Sequence, residues 1–283
     1  MLIQGWGNMM ISRRMADKLW VSALLLPAIL TAAYYFIYPM LVLGLTSLHS
    51  EAGLSIVHYT EILTKAQYRE SLFDTIFLSV AVTLVTLAIS TLLSMVLVRW
   101  EFPLKKLYQA LITFPLSFPG VVVGFMIIIL FGRTGVIPNV IAQFTGKPML
   151  QIAYTNWGLF FAYLYFSIPK VTMTMVGSVH KLDMRLEEAA RSLGATPAVS
   201  FRRVVLPALS PALVAAGALC FATSMSAFGT AFTLAQNISV LPVLMYTEYT
   251  LSFQIEAASA MAITLGVITL LFNYAYRTIG ERG

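Results

Sequence analysis

Charged residues divide this chain into long apolar stretches. Asp, Glu, Lys and Arg are absent from residues 19–50, 75–98, 107–132, 148–169, 204–247 and 257–276. Each stretch can hold a transmembrane helix, which needs about 20 apolar residues. The fifth is too long for one ordinary helix, and Asn237 and Pro242 interrupt its far end, so we predict a helix from about Pro207 to Ala235 followed by a loop. The pattern therefore predicts six membrane spans.

Composition agrees with a membrane protein. Of the 283 residues 59% are hydrophobic and 11% are charged, whereas a soluble domain carries about 25% charged residues. We therefore predict an all-α, polytopic protein whose surroundings are the lipid bilayer. The one cysteine, Cys220, falls inside a predicted span and is interpreted as a small buried apolar residue.

Basic residues predict the orientation of the spans, because Lys and Arg accumulate in short cytoplasmic loops. With a cytoplasmic N-terminus, the inner segments hold Arg13, Arg14, Lys18, Arg99, Lys105, Lys106, Lys181, Arg185, Arg191, Arg202, Arg203, Arg277 and Arg282, and the outer loops hold Lys65, Arg69, Arg133 and Lys147. Both termini are thus predicted to be cytoplasmic, with tails at 1–18 and 277–283 around a membrane domain at 19–276. The net charge of +6 follows from this bias and does not indicate nucleic-acid binding.

The first apolar stretch is predicted to remain in the protein. Arg13 and Arg14 could belong to a secretory signal, but the apolar run after them is too long for a signal core and no small-residue cleavage site ends it. We interpret residues 19–45 as a retained first helix.

A polar segment, EEAARSLGATPAVSFRRVVLP at 187–207, lies in the predicted cytoplasmic loop between spans four and five. Asp183 can cap a helix in which Leu186, Ala189, Ala190 and Leu193 form one apolar stripe, with Glu187 and Glu188 on exposed faces. Gly194 suits the left-handed end of that helix, and Thr196-Pro197 suits the start of a second one. The segment predicts a helical hairpin that projects into the cytoplasm.

Three functions are compatible with a helical hairpin in general. It can lie on the membrane surface as an amphipathic helix, bind DNA, or dock a soluble partner. DNA binding is excluded because both ends are tethered to the bilayer and Glu187 and Glu188 repel phosphates. Small residues that permit close approach, such as Ala189 and Gly194, favour docking.

The hairpin resembles a known family motif. Glu188-Ala189-Ala190, then Gly194, then Val204-Val205-Leu206-Pro207 is similar to the EAA motif of type I permease subunits from binding-protein-dependent ABC importers, with Val204 where that family usually has isoleucine. The resemblance extends over residues 72–276. It implies a type I permease fold in which a coupling region, 179–206, sits in a groove of a cytoplasmic ATPase dimer. The coupling residues implied are Glu187, Glu188, Ala189, Ala190, Leu193, Gly194, Leu206 and Pro207.

The resemblance also implies the partners. These are a second permease subunit, identical or related, and an extracytoplasmic solute-binding protein, in a bacterial inner membrane. The chain has no phosphate-binding GxxxxGK[ST] loop, so we expect ATP and Mg to be bound by the partner ATPase and predict no enzymatic activity here. His49, His58 and His180 are far apart, which predicts no metal site and no cofactor in this chain.

Candidate residues of the translocation path lie at predicted helix breaks. Pro115 and Pro119 disturb span three, and such a break can line a pore or form a kink beside a Gly120-x-x-x-Gly124 packing patch. The hydroxyls of span five can contact a solute or join helices. The path residues predicted are Ser117, Pro119, Lys170, Ser224, Ser226 and Phe228.

Three charged residues need separate interpretation. Lys170 lies about 16 Å inward from Lys181 at 1.5 Å per residue, so it can line the path or snorkel to the interface, and the sequence favours snorkelling. Glu248 and Glu256 are predicted in an external loop that meets the binding protein.

The transported solute is predicted from the resemblance alone. The third span and the 185–196 loop are similar to a branch that includes spermidine/putrescine, iron(III), sulfate and aminoethylphosphonate permeases. We expect a polyamine, with iron(III), sulfate and aminoethylphosphonate as alternatives. A secondary transporter is a distant alternative, since no inverted repeat is evident.

Overall fold

The computed structural model of the protein describes residues 24–50, 53–236 and 238–280. The predicted N-terminal tail with Arg13 and Arg14, and the predicted helix interruption at Asn237, lie outside these residues. The described part is built almost entirely from helices, as the apolar pattern predicts.

Helices are numbered here in chain order over the described residues. They are α1 Leu24–Ser47, α2 Val57–Thr64, α3 Ala66–Arg99, α4 Lys105–Thr113, α5 Gly120–Phe131, α6 Val136–Thr145, α7 Asn156–Val179, α8 Arg185–Ser192, α9 Pro197–Ala208, α10 Ser210–Met225, α11 Phe228–Leu234, α12 Leu241–Thr250 and α13 Ile255–Gly280. Two short antiparallel strands, β1 His49–Ser50 and β2 Gly53–Leu54, form a hairpin after α1.

Six membrane spans can be built from these helices. Five stretches of the described residues are long and apolar enough to cross a bilayer: α1, α3, Gly120–Thr145 (α5 with α6), α7 and α13. The bent pair α9 and α10, which turns by 68°, forms the sixth. The predicted all-α, six-span architecture is confirmed.

The predicted bounds of spans three and five are wrong. Residues 107–113 belong to α4, and a 3-10 turn over Phe114–Ser117 separates α4 from α5. Pro115 and Pro119 explain the break, because proline removes a backbone donor and clashes with the preceding turn. The predicted helix from Pro207 to Ala235 is instead interrupted at Leu209 and again at Ser226–Ala227.

The core of the fold lies around the longest helix. α3 packs against α7 and α10, α10 packs against α13, and α5 packs against α11. The buried face of α3 consists largely of small hydroxyl residues: Ser71, Thr75, Ser79, Thr83, Thr86, Ser90, Thr91 and Ser94. Such residues let membrane helices approach closely. α1 packs on α13 with its apolar side chains exposed, which suits contact with lipid.

The orientation of the spans can be tested with introduced cysteines. Thirteen of the eighteen basic residues lie on the predicted inner side, so Ser12→Cys and Thr278→Cys, each in a Cys220→Ala background, are expected to react only with membrane-permeant thiol reagents. Lys147→Cys, in a predicted outer loop, is the matched control and should react with impermeant reagents. Reaction of either terminal cysteine from outside intact cells contradicts the orientation.

Candidate functional site

The hairpin of α8 and α9 has the local structure that its sequence predicts. The Asp183 carboxylate accepts a hydrogen bond from the Arg185 N–H at 3.0 Å. At the other end of α8, Gly194 has a φ of +86°, and the Ala195 N–H donates to the Ala190 carbonyl at 3.0 Å. This is a Schellman helix end, which favours glycine at the left-handed position. The Thr196 hydroxyl caps α9 by accepting from the Val199 N–H at 3.4 Å.

The apolar stripe of α8 is uncovered in this chain. Leu193 is 89% exposed, Leu186 and Ala189 are also exposed, and Ala190 is half-buried. A helix of eight residues gains most of its stability from packing of its apolar face. The exposed stripe is therefore suited to contact with another molecule.

Glu187 does not lie on an exposed face as predicted. It is only 5% exposed and forms a two-point ion pair with Arg99, the last residue of α3, in which one N–O distance is 3.0 Å. Glu188, next in the chain, is exposed. Sequence reasoning missed Arg99 because the two partners are 88 positions apart and no local pattern connects them.

Leu206 and Pro207 end α9 on the membrane side of the hairpin. Both side chains are exposed, whereas the neighbouring Val205 is fully buried. The chain turns at Leu209 into α10, which packs into the core. α9 therefore leads from the exposed α8 to the buried spans without a flexible linker.

A cavity of about 360 Å³ lies where the two broken spans meet α7. Its described lining residues come from the break before α5, from α7, and from the break between α10 and α11. They are Pro115, Leu116, Phe118, Gly120, Val121, Phe166, Lys170, Thr223, Ala227, Gly229 and Thr230. Helix breaks at membrane depth are tolerated where they line a cavity or are buried in protein, and here residues of both breaks line the cavity.

Side-chain hydroxyls from neighbouring helices bond to backbone carbonyls at the starts of α5 and α11. The Thr230 hydroxyl donates to the Gly120 carbonyl at 3.0 Å, and the Tyr163 hydroxyl donates to the Ala227 carbonyl at 2.9 Å. α5 and α11 approach closely, since a β-carbon at Gly124 would lie 2.6 Å from the Thr233 β-carbon. The Gly120–Gly124 packing patch is therefore present, and the break before it lines this cavity.

Lys170 lies in the wall of this cavity. It is half-buried, follows Pro169 in α7, and forms no salt bridge with any described residue. Phe166, one turn earlier on α7, shares the same wall. The structure thus places Lys170 at this cavity.

The other predicted path residues do not come together around Lys170. Ser117 and Pro119 are exposed beside the cavity but are absent from its described wall, and Ser224 is buried with no hydrogen-bond partner among the described residues. Ser226 and Phe228 line a different, apolar cavity of about 450 Å³ against α12 and α13. The wall residues Phe166 and Thr223 were not predicted, since nothing in their local sequence marks them.

Glu248 does not lie in an exposed external loop. It belongs to α12, a helix that the sequence did not predict, and is only 7% exposed. Glu256, in the first turn of α13, is half-buried. Leu241 and Leu244 of α12 pack on α13 and α3, which explains why this segment folds onto the spans.

The fold and the hairpin define a class of protein: a polytopic permease with broken spans around a cavity and an exposed cytoplasmic helix. Residues 90–282 match the model of the family described as binding-protein-dependent transport system inner membrane component, and the chain belongs to that family. It is therefore a multi-pass inner-membrane subunit of a transport system that depends on a binding protein.

Relatives of known name are similar over most of their length. The sulfate transport system permease protein CysT of Salmonella typhimurium is 32% identical over 252 residues, which cover 87% of this chain and 89% of the relative. CysT of Synechocystis sp. is 30% identical over 265 residues, covering 91% and 90%. CysW of the same organism, another sulfate permease protein, is 30% identical over 202 residues, covering 69% and 71%.

Solved structures show the same fold at lower identity. A chain of a bacterial ABC transporter involved in the import of the acidic polysaccharide alginate has a TM-score of 0.82 at 16% identity, covering 96% of this chain and 98% of that one. A chain of the MetNI methionine ABC transporter has a TM-score of 0.58 at 17% identity, covering 78% and 97%. The chain therefore has the fold of ABC importer permeases.

Proposed function

We propose that this permease imports sulfate, or a closely similar tetrahedral oxyanion, delivered by a solute-binding protein. The observation that carries the proposal is the similarity to sulfate permeases over 87% of the chain. It supports the sulfate alternative in preference to the polyamine that we expected from sequence.

The charge of the central cavity supports an anionic solute. Lys170 is the one charged side chain among the described residues of its wall. A polyamine carries several positive charges, so it would be repelled by Lys170 and would gain no carboxylate partner there. An oxyanion is attracted by the same side chain.

The uncovered stripe of α8 supports docking of an ATPase dimer. Leu186, Ala189 and Leu193 present an apolar strip beside the exposed Glu188, which suits a groove with a basic rim. In this proposal the ATPase binds ATP and Mg, a second permease subunit completes the translocation path, and the coupling residues predicted from sequence transmit motion from the ATPase. Glu187 is assigned an internal role because it pairs with Arg99.

Uptake by cells tests the solute directly. The chain, expressed with its own binding protein, ATPase and second permease in a strain that lacks sulfate importers, is expected to restore uptake of radiolabelled sulfate. Excess unlabelled sulfate should suppress the signal, and excess spermidine should leave it unchanged. Uptake of radiolabelled spermidine without sulfate uptake contradicts the proposal.

A further inference from the structure

We propose that the cavity around Lys170 is an anion-binding site within the membrane domain, which the oxyanion occupies on its way to the cytoplasm. This inference rests on the proposed sulfate function and adds a defined site to it. The described wall contains Lys170 and no carboxylate. The site therefore has an uncompensated positive charge.

Lys170 is a charged residue deep within a membrane span, and packing alone does not explain it. It lies nine residues before Val179, the end of α7, which is about 14 Å at 1.5 Å per residue. A charged side chain within a membrane span is costly unless it pairs or faces water. No described carboxylate pairs with Lys170, so the cavity provides water and a mobile anion provides the counter-charge.

The start of α5 adds donors to the same wall. Gly120 and Val121 are the first two residues of this 12-residue helix and both line the cavity. The first N–H groups of a helix have no acceptor within the helix and form its positive end. The Thr230 hydroxyl is already donated to the Gly120 carbonyl. Lys170 and the start of α5 are thus the groups available to an anion.

The size of the cavity suits passage. A water molecule takes up about 30 Å³ of liquid, so 360 Å³ holds a four-oxygen anion together with several of its waters. One cation and a few backbone donors around a hydrated anion form a weak site. Conduction requires such a site, because the solute must enter favourably and still leave.

Substitutions of Lys170 test the site in the assembled transporter. Sulfate uptake is expected to fall on the order of tenfold in Lys170→Gln, since the site then loses its one positive charge, and further in Lys170→Glu, where the anion is repelled. Lys170→Arg keeps the charge and should retain most uptake. Lys147→Gln, an exposed position in the outer loop between α6 and α7, is the control and should match wild type. ATPase stimulation by the sulfate-loaded binding protein should persist in Lys170→Gln, which shows that the complex is assembled.

Chemical modification of a cysteine at position 170 tests whether uptake depends on the positive charge there or on correct folding of the variant. Lys170→Cys in a Cys220→Ala background is expected to transport poorly, and 2-aminoethyl methanethiosulfonate, which attaches an ammonium to the cysteine, should restore uptake at least several-fold. Methyl methanethiosulfonate attaches a neutral group of the same chemistry and should restore nothing. Because the protein is already folded when the reagent is added, rescue cannot arise from improved folding.

The results for Lys170 variants test the anion site, and the result for the wild-type transporter tests the sulfate function. Wild-type sulfate uptake in Lys170→Gln, or equal rescue by both reagents, overturns the anion site and leaves the sulfate function standing. Absence of sulfate uptake by the wild-type transporter overturns the sulfate function before any variant is compared. Loss of uptake in Lys170→Gln with rescue by the ammonium reagent alone supports the site.

Discussion

Gly194→Val is expected to abolish uptake while the permease remains inserted at normal abundance. Gly194 has a φ of +86° at the end of α8, where a β-carbon costs about 1–2 kcal/mol of backbone strain and a β-branched residue is a conformational outlier. The variant should lose the Schellman end and displace the start of α9. The spans should persist, because no described residue of α8 belongs to the buried apolar core.

The size of this effect follows from coupling. An interaction that links two sites is typically worth about 1–3 kcal/mol, or 5- to 150-fold, so uptake should fall by at least the upper end of that range, and the ATPase should co-purify weakly. Both are measured on the same membranes. Wild-type values of both would leave α8 as a helix on the membrane surface with no role in coupling.

Gly194→Asn is the matched control that tests whether backbone conformation causes the loss of uptake in Gly194→Val. Asparagine tolerates the left-handed region, and a β-carbon at this position meets no atom of the described residues within 4 Å. If backbone conformation is decisive, Gly194→Asn should retain much of its uptake. If the side chain clashes with the ATPase groove, Gly194→Asn should fail as Gly194→Val does.

Features that depend on neighbouring residues could be predicted from the sequence. The ends of α8 and α9 are set by Asp183, Gly194 and Thr196, each within a few positions of the group it bonds, and all three were predicted. The number of spans also follows from a local property, the length of each charge-free stretch. The end of the fourth span could not be predicted in this way. Lys170 lies inside α7, which extends to Val179, so the charge-free stretch ends ten residues before the helix does.

Features that depend on distant residues could not be predicted. α12 folds onto α3 and α13, and Glu248 is buried there, although its sequence resembles an external loop. The cavity wall combines residues from three separate spans, and only contact in three dimensions distinguishes Phe166 and Thr223 from residues that pack. Lys170 was marked in the sequence by its charge. The burial of Glu187 is the same kind of case, because its partner Arg99 ends a helix far earlier in the chain.

The Arg99–Glu187 pair is expected to be as important for coupling as the exposed face of α8. It joins the cytoplasmic end of α3, the longest helix of the core, to α8 through two parallel contacts. The side chain of Glu187 is 6% exposed and that of Arg99 is 16% exposed, so water screens the pair weakly. If the ATPase moves α8, as we propose, the movement reaches α3 directly through this pair.

Glu187→Gln is expected to lower uptake more than Glu188→Gln does. Glu187→Gln leaves Arg99 without its counter-charge, and breaking a buried pair in this way typically destabilises by roughly 3–5 kcal/mol, an upper bound here because Arg99 retains some contact with water. We expect α8 to detach from α3, with at least tenfold lower uptake but normal insertion of the spans. Glu188→Gln, one position further on an exposed face, is the matched control and should reduce uptake only in part.

Exchanging the two charges tests whether uptake requires the contact between positions 99 and 187 or the individual residues. The double variant Arg99→Glu/Glu187→Arg restores a pair of opposite charges between α3 and α8, so it should recover much of the uptake that each single reversal loses. Uptake, ATPase co-purification and ATP hydrolysis are measured together for the four proteins of the cycle. Losses in the single reversals that add in the double variant would show that the pair does not connect the two helices. Recovery of uptake together with regulated ATP hydrolysis would show that a charge contact between the end of α3 and α8 carries part of the coupling.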